Sequence, residues 1–226
     1  MAASNEQLEA LGRYALRFVK PGKTLGLGTG HAAVAFIRAL GASGIKVRGV
    51  PTSESSAELG RSVGIPIVTL EEAGRIDIDF DGADEVDPQL NLIKGYGGAL
   101  VREKIVTVSS QRFIVLVGDE KMVRKLGNRG TLPIEVIPFG LPLATRMIKA
   151  LGLKPRVREP DGKTYITDNG NLILDCGVKQ ISNPARLDRE LLGIPGVLGT
   201  GLFVGMADIV LVAESSGKTR VLKRQR

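Results

Sequence analysis

Residues 91 to 106, NLIKGYGGALVREKIV, set Lys94 ahead of Gly95, Gly97 and Gly98 and then open a helical pattern carrying Glu103. A lysine supplies positive charge, backbone amides flanked by glycine bind an oxyanion, and a carboxylate little more than one helical turn further on takes up a proton. That combination suits removal of a proton from carbon beside a carbonyl, which needs a base and stabilisation of the resulting enediolate. The plainer alternative for Glu103 is a surface ion pair with Arg102 or Lys104.

Two further stretches carry comparable chemistry. In IDIDFDGADEVD, residues 76 to 87, Asp77, Asp79, Asp81 and Gly82 imitate the first half of a calcium loop, but Pro88 replaces the glutamate such a loop needs. The alternation of Ile76, Ile78 and Phe80 with aspartates reads instead as a strand whose end delivers Asp81 and Asp84 into a crevice. Gly82 and Ala83 permit the tight bend between them; a solvated acidic turn is the alternative. In GLGTGHAAVAF, residues 26 to 36, alternating glycines lead through Thr29, Gly30, His31 and Ala32 into an apolar helix start. Amides at such a strand-to-helix turn bind anions, phosphate above all. The dinucleotide fingerprint is incomplete at His31 and the Gly-Lys-Ser/Thr of a P-loop is missing, so nucleotide binding is disfavoured and a simple tight turn stays open.

The elements that must position these groups alternate. Ser4 and Gln7 form a capping-box pattern ahead of a helix with Leu8, Leu11, Ala15 and Phe18 on one face, stopped at Pro21-Gly22. Strands are expected at 24–27, 46–50, 65–70, 76–80 and 113–117, and helices at 32–40 (ended by Gly41), 54–63 (opened by Ser53) and 99–108. Such alternation predicts an α/β fold with a mostly parallel sheet and helices on both faces, its ligands beyond the carboxyl ends of the strands. Prolines 133, 138, 142 and 155 then punctuate a smaller α+β unit. It should hold helices at 143–151 and 184–192, a strand at 202–204, and a hairpin around Asp168-Asn169-Gly170 with arms at 165–167 and 171–175. The strand expected at 209–213 rejoins the first sheet. The division is therefore 1–130 with 206–226, and 131–205.

A chain of 226 residues with 43% hydrophobic residues can bury a substantial core, and no apolar run approaches the roughly 20 residues that cross a bilayer. The first residues fit neither a secretory signal nor a transit peptide, so a cytoplasmic protein without membrane attachment is expected. The formal charge of +7 is dispersed, aromatics are sparse and Trp is absent, which argues against nucleic acid. Only Lys223 to Arg226 cluster, read as a solvated tail. Cys176, the single cysteine, excludes an internal disulfide and a cysteine zinc cluster, and is expected as a small buried hydrophobe.

In order and spacing, GLGTG, TSESSAELG (52–60), DGADEVD, KGYGGALVREKIV, GDEKMVRKLG (118–127) and LPIEVIPFG (132–140) resemble type A ribose-5-phosphate isomerase. The resemblance spans almost the whole chain. It implies a Rossmann-like domain with a smaller ferredoxin-like one, no cofactor and no metal, a homodimer or homotetramer, and interconversion of ribose 5-phosphate and ribulose 5-phosphate in the pentose phosphate pathway. It assigns Glu103 as the base, Asp81 to ring opening and hydroxyl protons, and Asp84 to sugar hydroxyls. Lys94 with the amides of Gly95, Tyr96 and Gly97 would hold the oxyanion, and Lys121 would lie near the phosphate.

The chain departs from that family at the phosphate loop. His31 and Ala32 stand where the family has serine and threonine, and Leu8 and Glu9 occupy the region of a first-helix lysine. Losing such hydrogen bonds costs on the order of 1 to 3 kcal/mol each, and His31 could replace one donor. Two other readings therefore remain open: an isomerase for a different aldose or sugar phosphate, and a non-catalytic sugar-phosphate sensor.

Overall fold

The computed structural model describes residues 2–224. In chain order the elements are α1 (Asn5–Ala15), β1 (Thr24–Leu27), α2 (His31–Ser43), β2 (Arg48–Pro51), α3 (Glu54–Ser62), α4 (Leu70–Ala73), β3 (Ile78–Gly82), β4 (Glu85–Val86) and β5 (Leu92–Ile93). They continue with α5 (Leu100–Val108), β6 (Phe113–Gly118), β7 (Thr131–Val136), α6 (Leu141–Ala150), β8 (Lys154–Val157) and β9 (Leu172–Gly177). The last are α7 (Pro184–Leu192), β10 (Val197–Thr200), β11 (Leu202–Phe203), β12 (Ile209–Ala213) and β13 (Thr219–Lys223). Two compact units result, one of residues 2–83, 102–122 and 206–224, the other of 84–101 and 123–205.

The first unit is a six-stranded sheet in the order β13-β12-β6-β3-β1-β2, parallel except for the β12–β13 hairpin. Leu25, Leu27, Phe80, Ile114, Leu116 and Leu211 on one face pack with Leu11 and Ala15 of α1 and Phe36, Ile37 and Leu40 of α2. Phe36 and Phe80 stack with ring centroids 4.1 Å apart; full burial of each such ring stabilises by about 1.5–3 kcal/mol. On the opposite face Val106 of α5 packs with Val50, Ala73 and Ile76. Helices on both faces of a mostly parallel sheet are the Rossmann-like arrangement the alternation predicts.

Local signals account for most boundaries. Ser4 and Gln7 close a reciprocal capping box on α1, and the Ser53 side chain accepts from Ser56 N–H at the start of α3. Two expectations are corrected. Gly41 does not end α2, which runs on to Ser43 and a left-handed Gly44; a side chain at 41 would meet Val63, so this glycine serves close helix packing. Residues 65–70 form no strand but a single bridge from Ile67 to Gly49, because Thr69 caps α4 with its side chain on the Glu72 amide.

The second unit holds the order β7-α6-β8-β9-α7-β10, and its antiparallel sheet runs β10-β7-β9-β8, a βαββαβ ferredoxin-like topology. Leu132, Ile134, Val136, Leu174 and Cys176 face Ala144 and Ile148 of α6 and Leu191 of α7. Cys176 is fully buried, as expected. Residues 84–101 and 123–130 belong here as well, beyond the expected limits of 131–205. The reason is pairing: β4 and β5 form a small sheet with β11, and the buried Glu85 carboxylate accepts the amides of Gly127 (2.6 Å), Asn128 (3.2 Å) and Arg129 (2.5 Å). The expected hairpin shrinks to a bridge between Ile166 and Leu172, since β9 spends its edges on β7 and β8. Of the basic tail, Lys223 ends β13 and Arg224 is anchored to the carbonyls of Ala207 and Asp208, so these two are not a solvated extension. Gln225 and Arg226 lie outside the described residues.

Candidate active site

In the first unit the parallel strands β1, β2, β3 and β6 point their carboxyl ends the same way, and the polar residues gather there. Asp81, fully buried near the end of β3, accepts Thr29 N–H (3.0 Å) and Gly82 N–H (2.7 Å) on the same carboxylate oxygen. Two amides on one oxygen fix the carboxylate in rotation. Beside it, just past the end of β1, stands Gly28, where any Cβ would run into the Asp81 carboxylate. One register step back, Gly26 is paired with Asp79 and a Cβ there would strike that carboxylate too. The alternating glycines at 26 and 28 thus make room for side chains of the next strand, a role the sequence did not reveal.

What remains for an anion is the start of α2. Gly30, at φ 104°, is its N-cap, and the amides of the first turn, from His31 on, have no acceptor within the helix. His31 is exposed and Ala32 half-buried. Thr29 turns its hydroxyl inward to Thr52 Oγ1 (2.7 Å), Ser53 Oγ (2.8 Å) and Ser56 Oγ (3.2 Å), while Ser56 donates to the Gly28 carbonyl (2.6 Å). This hydroxyl network explains the Thr-Ser-Glu-Ser-Ser run, which tethers the start of α3 to the loop after β1. Lys121 is half-buried in the turn following β6. On the first helix Leu8 is half-buried and Glu9 pairs with Arg13 at 3.8 Å on the surface.

Glu103 occupies the first turn of α5 and is 3% exposed, so it is no surface residue; Arg102 reaches Glu54 at 2.9 Å. A buried carboxylate at a helix N-terminus is held by the helix dipole while being shielded from water.

The second unit carries Asp84, Lys94 and the glycine loop. Lys94 is 2% exposed, its amide bonded to the Gly201 carbonyl (2.9 Å) and its ammonium 5.5 Å from the Phe203 ring centre. Asp84 accepts Tyr96 N–H at 3.0 Å. Gly98 N–H is likewise taken, by the Gly95 carbonyl at 3.0 Å. Of the three amides assigned to the oxyanion, those of Gly95 and Gly97 are thus the better placed, and the Tyr96 amide orders Asp84. The loop's carbonyls are tied back by residues that sequence reasoning missed. Arg158 donates from Nη1 to the carbonyls of Gly95 and Tyr96 (3.0 Å each) and grips Asp175 through Nε (2.8 Å) and Nη2 (2.6 Å). Tyr165 donates its hydroxyl to the Gly97 carbonyl at 3.4 Å. Fixing carbonyls fixes the amide planes that join them. Burial, then Asp84 and Glu85, push the Tyr96 hydroxyl up to about 12, so it stays protonated and donates to the Thr131 carbonyl (3.3 Å).

A parallel sheet with a clamped carboxylate at one strand end, a buried glutamate on a crossover helix and an open helix start for an anion defines a Rossmann-like proton-transfer enzyme. The model of the family Ribose 5-phosphate isomerase A (phosphoriboisomerase A) matches residues 48–217. The chain belongs to that family. Over 210 residues it is 48% identical to a ribose-5-phosphate isomerase A of Roseiflexus sp. (strain RS-1), covering 90% of each chain. Over 223 residues it is 44% identical to that of Thermomicrobium roseum, covering 96% of this chain and 94% of the relative. Among solved structures, a D-ribose-5-phosphate isomerase in complex with phospho-erythronic acid superposes with TM-score 0.94 at 38% identity, over 98% of this chain and all of the other. The ribose 5-phosphate isomerase A of Methanocaldococcus jannaschii gives 0.91 at 41%, over 97% and 100%.

Proposed function

We propose that this chain interconverts D-ribose 5-phosphate and D-ribulose 5-phosphate, a step of the non-oxidative pentose phosphate pathway, with Glu103 as the base. The observation that carries the assignment of roles is the burial of Glu103 on α5 in the same unit as the amide-clamped Asp81. In the aldose-to-ketose direction Glu103 takes the proton from C2. The C–H electrons form the C1–C2 double bond of an enediolate, and negative charge develops on O1. Glu103 then returns the proton to C1, while a proton leaves O2 and one reaches O1, giving the ketone at C2. Asp81 serves ring opening and the hydroxyl protons, Asp84 the sugar hydroxyls, and Lys94 with the Gly95 and Gly97 amides the oxyanion. Gly30, His31 and Ala32 at the start of α2 and Lys121 after β6 take the phosphate.

None of the relatives named above points to another aldose or to a sensor. A cytoplasmic homodimer or homotetramer, as the family resemblance implies, is the assembly we propose, and its mass in solution tests it. Purified protein should convert ribose 5-phosphate to ribulose 5-phosphate, and Glu103→Gln should lower kcat by at least 10³-fold with KM little changed. Turnover by Glu103→Gln at the parent rate removes Glu103 as the base.

A further inference from the structure

Asp79 is a fully buried carboxylate that the chemistry above does not use. It accepts the Thr107 hydroxyl at 2.7 Å, joining the middle of β3 to the last turn of α5. The surroundings interlock: Gly26 of β1, the register partner of Asp79, leaves space for its carboxylate, and Val106 of α5 packs into the same gap.

The pair sits one structural repeat away from the reacting groups. Along β3, Asp79 and Asp81 point to the same face of the sheet, two residues or about 6.6 Å apart. Along α5, Thr107 and Glu103 share one stripe, four residues or about 6 Å apart. Helix and strand run in opposite directions, because α5 returns the chain between the parallel neighbours β3 and β6. The Gln111 amide bonded to the Ile76 carbonyl (2.9 Å) puts the end of α5 beside the start of β3. Walking back one turn from Thr107 and forward one strand repeat from Asp79 therefore brings Glu103 level with Asp81.

We propose that Asp79 and Thr107 are a positioning pair that sets the depth and rotation of α5 on β3, and thereby the place of Glu103 beside Asp81. The proposal rests on Glu103 being the base. A hydrogen bond from a hydroxyl to a carboxylate is short and directional, so it resists both sliding and rolling of the helix, where apolar contact alone resists neither strongly. Displacing a catalytic group by about 1 Å can cost 10²-fold.

Steady-state kinetics with ribose 5-phosphate at 25 °C test the pair, with thermal unfolding followed in parallel. Thr107→Val, isosteric but without the donor, should lower kcat ten- to hundredfold and leave KM within about twofold. Thr107→Ser, which restores the hydroxyl, should recover kcat to within about threefold of the parent. Should Thr107→Val fail to fold because the buried Asp79 loses its hydroxyl donor, the double variant Asp79→Val, Thr107→Val removes both members of the pair and should fold with the same kcat loss. A folded Thr107→Val or double variant with parental kcat overturns the proposal, even if its melting temperature drops, since that is what a purely structural bond would do. Equal kcat loss in Thr107→Ser and Thr107→Val overturns it too. Glu103→Gln separates this from the underlying reading: if it is active the base assignment fails, whereas if it is inactive and Thr107→Val is not, only the positioning pair fails.

Discussion

Truncating Arg158 tests the claim that the glycine loop is held from behind. Arg158 is 13% exposed along its side chain and gives two 3.0 Å bonds to the carbonyls of Gly95 and Tyr96, next to a Gly95 at φ 104°. Hydrogen bonds involving a charged group contribute about 1.5–3 kcal/mol each. Arg158→Met removes both and frees the peptide plane that joins the Tyr96 carbonyl to the Gly97 amide. If only about 1.4 to 2.7 kcal/mol of that is felt as loss of oxyanion stabilisation, kcat falls ten- to hundredfold. KM for ribose 5-phosphate should change less than threefold, because the start of α2, proposed above to take the phosphate, is untouched. Asp175→Asn, which loosens the guanidinium without removing it, should cost less. The double variant Arg158→Met, Asp175→Asn controls for the carboxylate left behind; the two single effects should not add, since the residues share one network. Initial rates at 25 °C, well below unfolding, decide the matter. An Arg158→Met enzyme with parental kcat and a lowered melting temperature would refute the reasoning and leave Arg158 as scaffold alone.

Other consequences are equally specific. Gly28→Ala should displace the Asp81 carboxylate and lower kcat at least tenfold, a shift a crystal structure of the variant would show; full activity would mean the loop after β1 yields where we hold it rigid. At Asp77, burial raises the carboxyl pKa, but the Lys23 hydrogen bond and the Thr24 amide outweigh it and hold it below its usual 3.8. A depressed carboxylate stabilises the fold above the unfolded value and loses that contribution as pH falls through the folded one. Asp77→Asn should therefore be less stable by about 0.5–1 kcal/mol at pH 6, the pair being partly exposed, and match the parent near pH 2 in urea titrations. Burial, then Asp175, push the Cys176 thiol up to about 12, so a thiol-specific reagent at pH 8 should modify it only at the rate of unfolding.

Periodicity made the first sheet legible where both faces of a strand differ. Ile78 and Phe80 alternate with Asp77, Asp79 and Asp81, and a strand forms there, though it runs Ile78–Gly82 rather than 76–80, Ile76 keeping only a single bridge to Ser110. At 65–70 the same apolar signal misled, because Thr69 and Glu72 close a capping box on α4 and win the local competition. Residues 131–136 escaped notice as a strand because Pro133 reads as punctuation, yet it lies in a central strand just where pairing with β10 ends. The sites divide similarly. Asp81, Asp84, Lys94 and Glu103 stand in motifs of sequence neighbours and could be singled out. Arg158 acts on residues 62 and 63 positions away, Asp175 on Arg158 17 positions back, and Thr107 on one 28 away, so only the fold brings each to its partner.

The packing of Gly28 against Asp81 bears on how substrate range can evolve. Position 28 is blocked from beneath, Thr29 is committed by both amide and hydroxyl, and Gly30 requires a backbone angle that other residues adopt at a cost. Variation in the turn proposed to take the phosphate is thus channelled into 31 and 32, the exposed and half-buried positions at which this chain carries histidine and alanine. A library randomised over those two positions alone would search nearly all of the adaptive freedom the turn possesses.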